Sequence, residues 1–254
     1  MSHLGGCKNA VILAAGNCTR FFSGVLVNSH KGLVQILENK NKKNMQNNSS
    51  LIENMIAILE NSGVSKIFLV LKNNLQFPDF PSHVKIVINS ELTNLSSSGS
   101  AAAGFLETMS GGGEGCTLLI DGDLYFSQEN FDSIYSYLNG NSILLTPHTG
   151  SGDECVPHFK EGKFIKFSKE KNTNAIDNPE YIGLSHFSGS FIECFLQIAK
   201  EESYVEAYEN LIPKIVEIGH PISFIYKSNF LWKDLDYIED IEAIRKLQTK
   251  SNEK

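Results

Sequence analysis

The sequence predicts an α/β fold, with a mostly parallel sheet between helices, because strand-like and helix-like segments alternate along the chain. The apolar run 9–16 ends in a glycine and is typical of a buried strand that leads into a loop. Apolar side chains then recur at helical spacing over 51–62, and Gly63 follows as a candidate C-cap. Residues 65–72 form the next apolar strand, which completes a βαβ unit with an expected right-handed crossover.

The alternation continues through the rest of the chain. It predicts strands at 84–89 and 117–120, a helix at 98–109, shorter strands at 155–158, 163–167 and 181–184, and helices near 191–200, 204–218 and 238–248. The shorter strands indicate a small binding lobe attached to the sheet. A polar stretch at 38–50, rich in Asn and Lys, is either a flexible surface insertion or an extended hairpin. Because that stretch lacks the character of an interdomain linker, we expect a single domain over 1–254.

The composition is that of an ordinary globular protein, with 41% hydrophobic and 20% charged residues. The net charge of −7 argues against broad nucleic-acid binding, which needs a basic surface. No apolar run is long enough to span a bilayer, and residues 1–8 lack the apolar core of a secretory signal. The five cysteines contain no CxxC pair, so we expect reduced thiols and a cytoplasmic protein that binds neither nucleic acid nor membranes.

The first chemical motif is LAAGNCTR at 13–20, followed by KGLV at 31–34. A strand that ends in small residues lets backbone N–H groups approach phosphate oxygens closely, which makes Ala14, Ala15 and Gly16 candidate nucleotide-binding residues. Arg20 and Lys31 would place positive charge on a triphosphate and are the candidate catalytic residues. The alternative is that the small residues only form a tight strand end.

This motif resembles LAAGxGxR…PKxL, the signature of nucleotidyltransferases with a GT-A-like fold. Cys18 stands where that signature has glycine, and His30 stands where it has proline. The resemblance implies a three-layer, Rossmann-like sheet of the nucleotide-diphospho-sugar transferase type. It also implies transfer of a nucleoside monophosphate from a nucleoside triphosphate to a phosphorylated acceptor.

The second motif is LLIDGD at 118–123, an apolar strand that delivers two carboxylates to its carboxyl end, where ligands bind in open α/β sheets. Mg²⁺ prefers one or two carboxylates together with phosphate oxygens and water. The resemblance gives Asp123 the place of a metal ligand, and we expect Asp121 to assist it. A solvated turn is the alternative, since Asp-Gly is a common turn pair.

The third motif is WKDLD at 232–236, before the last predicted helix. The resemblance implies a second metal-binding aspartate near the C-terminus, and Asp236 fits that place. Asp234 is the competing choice for the metal. The alternative role for either is a helix N-cap, because Asp is common before a helix.

Four further stretches follow the order of a narrower group: SSGS at 97–100, TGSGDE at 149–154, FSKE at 167–170 and EYIGLS at 180–185. The set resembles the cytidylyltransferases that act on 2-aminoethylphosphonate and, more loosely, the phosphocholine cytidylyltransferases. Over 9–248, apart from the polar insertion, the resemblance implies CTP as the donor. It implies a small phosphonate or phosphomonoester as the acceptor.

The residue types in these stretches suit such ligands. Ser98, Gly99 and Ser100 are small enough for a base to lie close, and the hydroxyls of the two serines offer hydrogen bonds. A cationic amino group would pair with acidic residues, and the acceptor phosphonate would meet a lysine as a point charge. The candidate acceptor-binding residues are Lys169, Asp153, Glu154 and Glu180. Ordinary surface positions remain the alternative for each of them.

These expectations combine into one predicted reaction: CMP transfer from CTP to the acceptor, with pyrophosphate released and Mg²⁺ held by Asp123 and Asp236. No general base is needed, because the second pKa of a phosphate is about 6. The enzymatic alternative is a sugar-1-phosphate nucleotidyltransferase. The other alternative is a degenerate nucleotide-binding protein without catalysis, which Cys18 and His30 motivate. The sequence leaves open whether the chain forms a homodimer.

Overall fold

The structure is a computed structural model that describes residues 7–16, 31–33, 35–38, 48–72, 77–111, 115–152, 154–170 and 178–252. The strands are β1 (Asn9–Ala14), β2 (Gln35–Glu38), β3 (Asn48–Ser50), β4 (Lys66–Leu71), β5 (Val84–Ile88), β6 (Cys116–Asp121), β7 (Leu124–Phe126), β8 (Ser142–Thr146), β9 (Glu154–Lys160), β10 (Lys163–Glu170), β11 (Glu180–Ser188), β12 (Ser223–Tyr226) and β13 (Trp232–Asp234). The helices are α1 (Leu51–Asn61), α2 (Ser90–Thr93), α3 (Ser97–Ser110), α4 (Gln128–Tyr135), α5 (Gly189–Glu201), α6 (Tyr208–Glu217) and α7 (Asp240–Asn252), with a short 3₁₀ turn at Lys31–Leu33.

Nine strands of the described chain form one sheet, in the order β10-β9-β11-β6-β1-β4-β5, with β8 also beside β11 and β12 beside β8. β1 runs parallel to β4 and β6, β5 runs parallel to β4, and β12 runs parallel to β8. β11 is antiparallel to β6, β8 and β9, and β10 is antiparallel to β9. Only β10 and β11 therefore oppose the common direction, and the predicted mostly parallel sheet is confirmed.

Helices cover both faces of this sheet because the side chains of its central strands alternate between two apolar clusters. In β1, Ala10, Ile12 and Ala14 face the cluster that includes α1 and α4. Val11 and Leu13 face the cluster formed with α3, α5 and α6. This period of two, buried on both sides, is the pattern of a strand in the middle of a three-layer α/β fold.

The helix boundaries follow from local capping. The Ser50 side chain accepts from the Glu53 N–H, and the Glu53 carboxylate accepts from the Ser50 N–H, which forms a capping box at the start of α1. Gly63 follows the end of α1 with φ of +87°, the left-handed conformation expected of a terminating glycine. The helix predicted at 204–218 begins only at 208, because Ser203 and Tyr204 adopt φ of +54° and +57° and form a turn instead.

The polar stretch 38–50 contains part of a two-stranded antiparallel sheet, in which Glu38 of β2 pairs with Asn48 of β3. Of the two predictions, a flexible insertion or an extended hairpin, the two ends of the stretch match the hairpin. Residues 39–47 lie outside the described residues. None of the helices in the described ranges is long and apolar enough to cross a membrane.

Candidate active site at the carboxyl edge of the sheet

The carboxyl end of β6 places two aspartates beside the end of β1. Asp121 ends the strand, and the next residue, Gly122, donates its N–H to the Leu13 carbonyl at 2.9 Å. A Cβ at Gly122 would lie 2.7 Å from that carbonyl oxygen, so the approach requires glycine. Asp123 is thereby fixed directly next to the first predicted phosphate-binding residues.

A small second sheet brings the C-terminal motif to the same place. β13 pairs with β7, so that Asp234 lies opposite Leu124, and the Leu235 N–H donates to the Asp123 carbonyl at 3.0 Å. Asp236 follows one residue later, close to Asp123. The pairing therefore joins two carboxylates that are far apart in the sequence.

Lys31 lies between these two carboxylates. Its Nζ is 2.6 Å from Oδ1 of Asp236 and 3.0 Å from Oδ2 of Asp123, and the residue is only 6% exposed. Burial would lower the pKa of Lys31, but the charge of Asp123 and the hydrogen bond to Asp236 outweigh it and raise the pKa above its usual value. The Lys31 ammonium therefore stays charged, and the carboxylates of Asp123 and Asp236 form one cluster around it.

Asp234, the competing metal ligand, has a different partner. Its Oδ1 accepts from Nζ of Lys233 at 2.7 Å, and Lys233 also pairs with Asp240 at 3.0 Å. Asp240, the first residue of α7, accepts from the N–H groups of Asp236 and Tyr237, which ties the preceding segment to the start of the helix. Of the two candidates, Asp236 is the one that shares a cation with Asp123.

The cluster borders a cavity of about 240 Å³. Seven of the described residues that line it are acidic, and Lys169 is the only lysine or arginine among them. The lining residues are Asp121, Asp123, Leu124, Thr149, Ser151, Glu154, Cys155, Lys169, Glu180, Tyr181, Ile182, Gly183, Tyr208, Glu209, Trp232, Asp234 and Asp236. A cavity of this charge attracts cations and repels an anion that arrives without them.

Elsewhere in the cavity lining, two glutamates share one hydroxyl group. Oγ1 of Thr149 lies 3.2 Å from Oε1 of Glu154 and 3.3 Å from Oε2 of Glu180. A hydroxyl has a single hydrogen to donate, so it satisfies one carboxylate at a time. Glu154 also accepts from the Gly152 N–H at 2.9 Å, whereas Oε1 of Glu180 is buried and has no hydrogen-bond partner in the described structure.

The two glutamates consequently differ in acidity. Burial and the nearby charges of Glu154 and Asp234 raise the pKa of Glu180 to about 8, against the hydrogen bond from Thr149. Burial also acts on Glu154, but backbone N–H groups, including that of Gly152, bind its carboxylate and lower its pKa. Glu180 is therefore the carboxylate for which a bound cation would provide the missing partner.

The cavity lining also contains a hydroxyl network that the sequence did not reveal. The Tyr208 hydroxyl lies 3.2 Å from both carboxylate oxygens of Asp121 and 3.1 Å from the Tyr181 hydroxyl, which in turn contacts Ser185 Oγ at 2.6 Å. Gly183 makes room for Asp121, since a Cβ there would overlap the carboxylate. A glycine inside the strand predicted at 181–184 was the one sequence sign of this site, and its φ of +82° in the structure agrees with that special role.

The predicted acceptor-binding residues Lys169, Glu154 and Glu180 line the same cavity as Asp123 and Asp236. The predicted nucleotide-binding residues fall into two groups outside its lining. Ala14 and Ala15 are buried at the end of β1, and Gly16 is exposed directly after them. Arg20, Cys18, His30 and Asp153 lie outside the described residues.

The second nucleotide-binding group lies in the first turn of α3. Ser98 and Ser100 are buried, and their hydroxyls contact Oγ and the carbonyl of Ser96, at 2.9 Å and 3.2 Å. Gly99 allows α2 to pack closely, because a Cβ there would overlap the Leu92 carbonyl. The turn is nevertheless tied to the cavity, since Ser97 Oγ accepts from the Tyr208 N–H at 3.0 Å. Nucleotide contact by these three residues stays a prediction.

Comparison with protein-family models and with curated protein sequences gives no match. Comparison with solved structures finds a Bacillus anthracis protein assigned as a glucose-1-phosphate thymidylyltransferase, in complex with sucrose. It aligns at a TM-score of 0.69 and 12% identity over 95% of this chain and 94% of that one. The inositol-1-phosphate CTP transferase from T. maritima aligns at a TM-score of 0.67 and 17% identity over 96% and 97%.

The chain has the fold of these transferases. The predicted three-layer α/β fold of the nucleotide-diphospho-sugar transferase type is therefore confirmed. At these identities the likeness concerns the fold, so the activity must be argued from the cavity itself.

Proposed function

We propose that the protein is a Mg²⁺-dependent cytidylyltransferase that transfers CMP from CTP to a small phosphonate or phosphomonoester and releases pyrophosphate. The observation that carries this proposal is the convergence of Asp123 and Asp236 on the Lys31 ammonium at the carboxyl edge of the sheet. Nucleotidyl transfer needs both carboxylates and a lysine at one site. The carboxylates must hold a metal cation, and the lysine must stay charged to bind the phosphates.

The residues fit a magnesium ion. Two carboxylates already point at one cation, the ammonium of Lys31, and their hard oxygen atoms are the ligands that Mg²⁺ selects. Asp123 and Asp236 would hold the ion, with its remaining positions left for water and phosphate oxygens. When bound, Mg²⁺ would neutralise negative charge on the α-phosphate and on the departing pyrophosphate.

The chemistry requires positioning more than proton transfer. An ionised acceptor oxygen attacks the α-phosphorus of CTP, and the bond from that phosphorus to the α,β-bridging oxygen breaks as pyrophosphate leaves. The acceptor oxygen is already ionised near neutral pH, so no side chain has to remove a proton. Lys31 stays protonated beside Asp123 and provides a fixed positive charge for phosphate oxygens.

For the acceptor, 2-aminoethylphosphonate is favoured and phosphocholine comes next. The unpartnered Oε1 of Glu180 and the adjacent Glu154 support a cationic head group, because both carboxylates face one Thr149 hydroxyl in an acidic cavity. Lys169, exposed on β10 at the same cavity, would meet the phosphonate. The acceptor would thus span from a lysine to a glutamate.

A sugar-1-phosphate or inositol phosphate acceptor is the second candidate. Its hydroxyls could also donate to Glu180 and Glu154, and the B. anthracis and T. maritima proteins carry such acceptors in their names. The difference lies in charge, since a neutral ring would leave the excess negative charge of the cavity uncompensated.

The test is pyrophosphate release with Mg²⁺, using CTP or TTP as the donor. The acceptors are 2-aminoethylphosphonate, phosphocholine, inositol-1-phosphate and glucose-1-phosphate, with an acceptor-free control. We expect CTP-dependent release that is fastest with 2-aminoethylphosphonate. Faster release with glucose-1-phosphate would favour the sugar-phosphate candidate. Nucleotide binding without release for any acceptor would favour the non-catalytic alternative.

A further inference from the structure

The opposite edge of the sheet carries a second cluster of ligand-type side chains, distinct from the carboxylates. Cys7 lies just before β1, Cys116 is the first residue of β6, and His186 lies in β11. β6 runs between β1 and β11, which places all three residues on adjacent strands. Since Asp121 ends β6, this cluster and the cavity lie at the two ends of one strand.

The three side chains converge on one point. The sulfur atoms of Cys7 and Cys116 and a ring nitrogen of His186 all lie within 4.8 Å of one another. Ligand atoms around a tetrahedral zinc ion are separated by roughly 3.5 Å, given bonds of about 2.3 Å to sulfur and about 2.0 Å to nitrogen. The three ligand atoms would have to move only slightly closer together to reach that arrangement. Cys7 is 2% exposed and His186 is 4% exposed, whereas Cys116 is half-buried and leaves the cluster one side that water can reach.

The hydrogen bonds of His186 set its tautomer. Nδ1 lies 2.7 Å from the Gly140 carbonyl, which can only accept, so Nδ1 carries the proton and donates it. Nε2 is then left with its lone pair. Histidines that bind metals usually donate their other ring N–H to a carbonyl or carboxylate in this way, because the bond fixes the ring and its basicity.

The backbone around Cys7 is held as well. The Tyr135 hydroxyl donates to the Cys7 carbonyl at 3.0 Å, and the Cys7 thiol lies 2.7 Å from the Cys116 carbonyl. These contacts fix the segment before β1 against β6 and α4. A cysteine with such support is positioned before any metal arrives.

We propose that Cys7, Cys116 and His186 form a zinc-binding site at the amino edge of the sheet. Two thiolates and an imidazole select Zn²⁺ over Mg²⁺, whereas the carboxylate oxygens at the other end of β6 select Mg²⁺. Water fills the fourth position of the proposed site. The ion would fasten the start of β1 to β6 and β11, and this role does not depend on CMP transfer.

The test is metal binding by the whole chain after removal of metals with a chelator in the presence of a phosphine reductant. Zn²⁺ is titrated against a chromophoric chelator, and Co²⁺ is added in parallel as a spectroscopic probe. We expect one tightly bound Zn²⁺ per chain and an increased melting temperature. The Co²⁺ protein should show thiolate-to-metal charge transfer and intense tetrahedral d–d bands. This spectrum reports sulfur ligands in the wild-type protein, so it does not depend on any variant folding.

Variants then assign the ligands. Cys7→Ser, Cys116→Ser and His186→Gln should each weaken Zn²⁺ binding at least tenfold, and the two serine variants should reduce the charge-transfer band. Cys194→Ser, a cysteine outside the cluster on α5, is the matched control and should bind as wild type does. Asp236→Asn should also retain the tight Zn²⁺, which separates this site from the carboxylates. A reduced wild-type protein that binds no Zn²⁺, or a Co²⁺ spectrum without sulfur bands, would overturn the proposal.

Discussion

Two pairs of carboxylates line the candidate active-site cavity, here called its paired end and its unpaired end, and their electrostatic situations are opposite. At one end, Asp123 and Asp236 share the buried ammonium of Lys31. At the other, Glu154 and Glu180 share one Thr149 hydroxyl, and one oxygen of Glu180 has no partner in the described structure. The first end contains its own cation, the Lys31 ammonium. At the second, Glu154 also has Nδ1 of His148 at 3.7 Å, so Glu180 is the carboxylate that a cation from outside would complete. We therefore propose that the paired end serves the nucleotide and its metal, and that the unpaired end, where Glu180 has an oxygen without a partner in the described structure, serves the acceptor.

The largest expected effect comes from breaking the paired end. Asp236→Asn removes a charged ligand and should lower kcat about 100-fold or more, because the interaction acts on charge that develops during transfer. Asp123→Asn should behave in the same way. Steady-state pyrophosphate release over a range of Mg²⁺ concentrations measures the loss.

Asp234→Asn is the matched control, since Asp234 lies two residues away and pairs with Lys233 instead of Lys31. We expect it to retain kcat within about tenfold of the wild-type value. If Asp234→Asn were inactive while Asp236→Asn turned over normally, the two residues would have to exchange their assigned roles.

The next effect separates the two lysines. Lys31→Ala should raise the KM for CTP or lower kcat by about 10- to 100-fold, because it removes the buried cation beside Asp123. Lys169→Ala should act on the KM of the acceptor by about tenfold, since Lys169 lies at the acceptor end of the cavity. Initial rates measured over a grid of CTP and acceptor concentrations give both KM values and therefore distinguish the two variants. Exchanged effects would contradict the proposed orientation of the substrates.

The smallest effect is a pH-dependent change in stability. The folded-state pKa of Glu180 is raised to about 8 from an ordinary 4.5, so the folded protein keeps a proton that the unfolded chain releases. Stability is therefore lost as pH rises from about 5 to about 8. Glu180→Gln removes this loss, and its melting temperature relative to wild type should rise by a few degrees over that interval.

Glu154→Gln provides the control of opposite sign. The pKa of Glu154 is lowered in the folded state, so its ionised form stabilises the protein above the ordinary pKa and this contribution is lost as pH falls. The variant should become less stable relative to wild type as pH rises towards about 5, and the difference should then stay constant at higher pH, because Glu154 is ionised in both the folded and the unfolded states there. Melting curves across pH that shift in the same direction for both variants would rule out the proposed asymmetry.

The sequence was sufficient to predict the central strands and the paired end of the site. Apolar runs as long as β1 and β4 have a strong periodic signal. The resemblance to the nucleotidyltransferase signature pointed to Lys31, Asp123 and Asp236, which the structure brings together. The three-residue strands β7 and β13 were missed, because segments so short carry no periodicity. Their pairing is nevertheless what brings the two aspartates together.

The unpaired end and its surroundings depended on tertiary contacts. Tyr208 reaches Asp121 from the start of α6, a helix whose beginning is set by the left-handed backbone at Ser203 and Tyr204. Thr149 belongs to the TGSGDE stretch but was given no role there, and it matters because β9 and β11 bring two glutamates to its hydroxyl. Such groupings arise from packing between distant segments, which local patterns do not encode.

The most direct test of the central claim is the kcat/KM ratio for 2-aminoethylphosphonate over 2-hydroxyethylphosphonate with CTP and Mg²⁺. The two acceptors differ mainly in the cationic group that Glu180 is proposed to meet. We expect a ratio of at least about 10 for the wild-type protein, equivalent to about 1.4 kcal/mol. The ratio should fall towards about 1 in Glu180→Gln and persist in Glu209→Gln, which removes the same charge elsewhere in the cavity. A wild-type ratio near or below 1, or an equal fall in both variants, would contradict a cation-binding acceptor end.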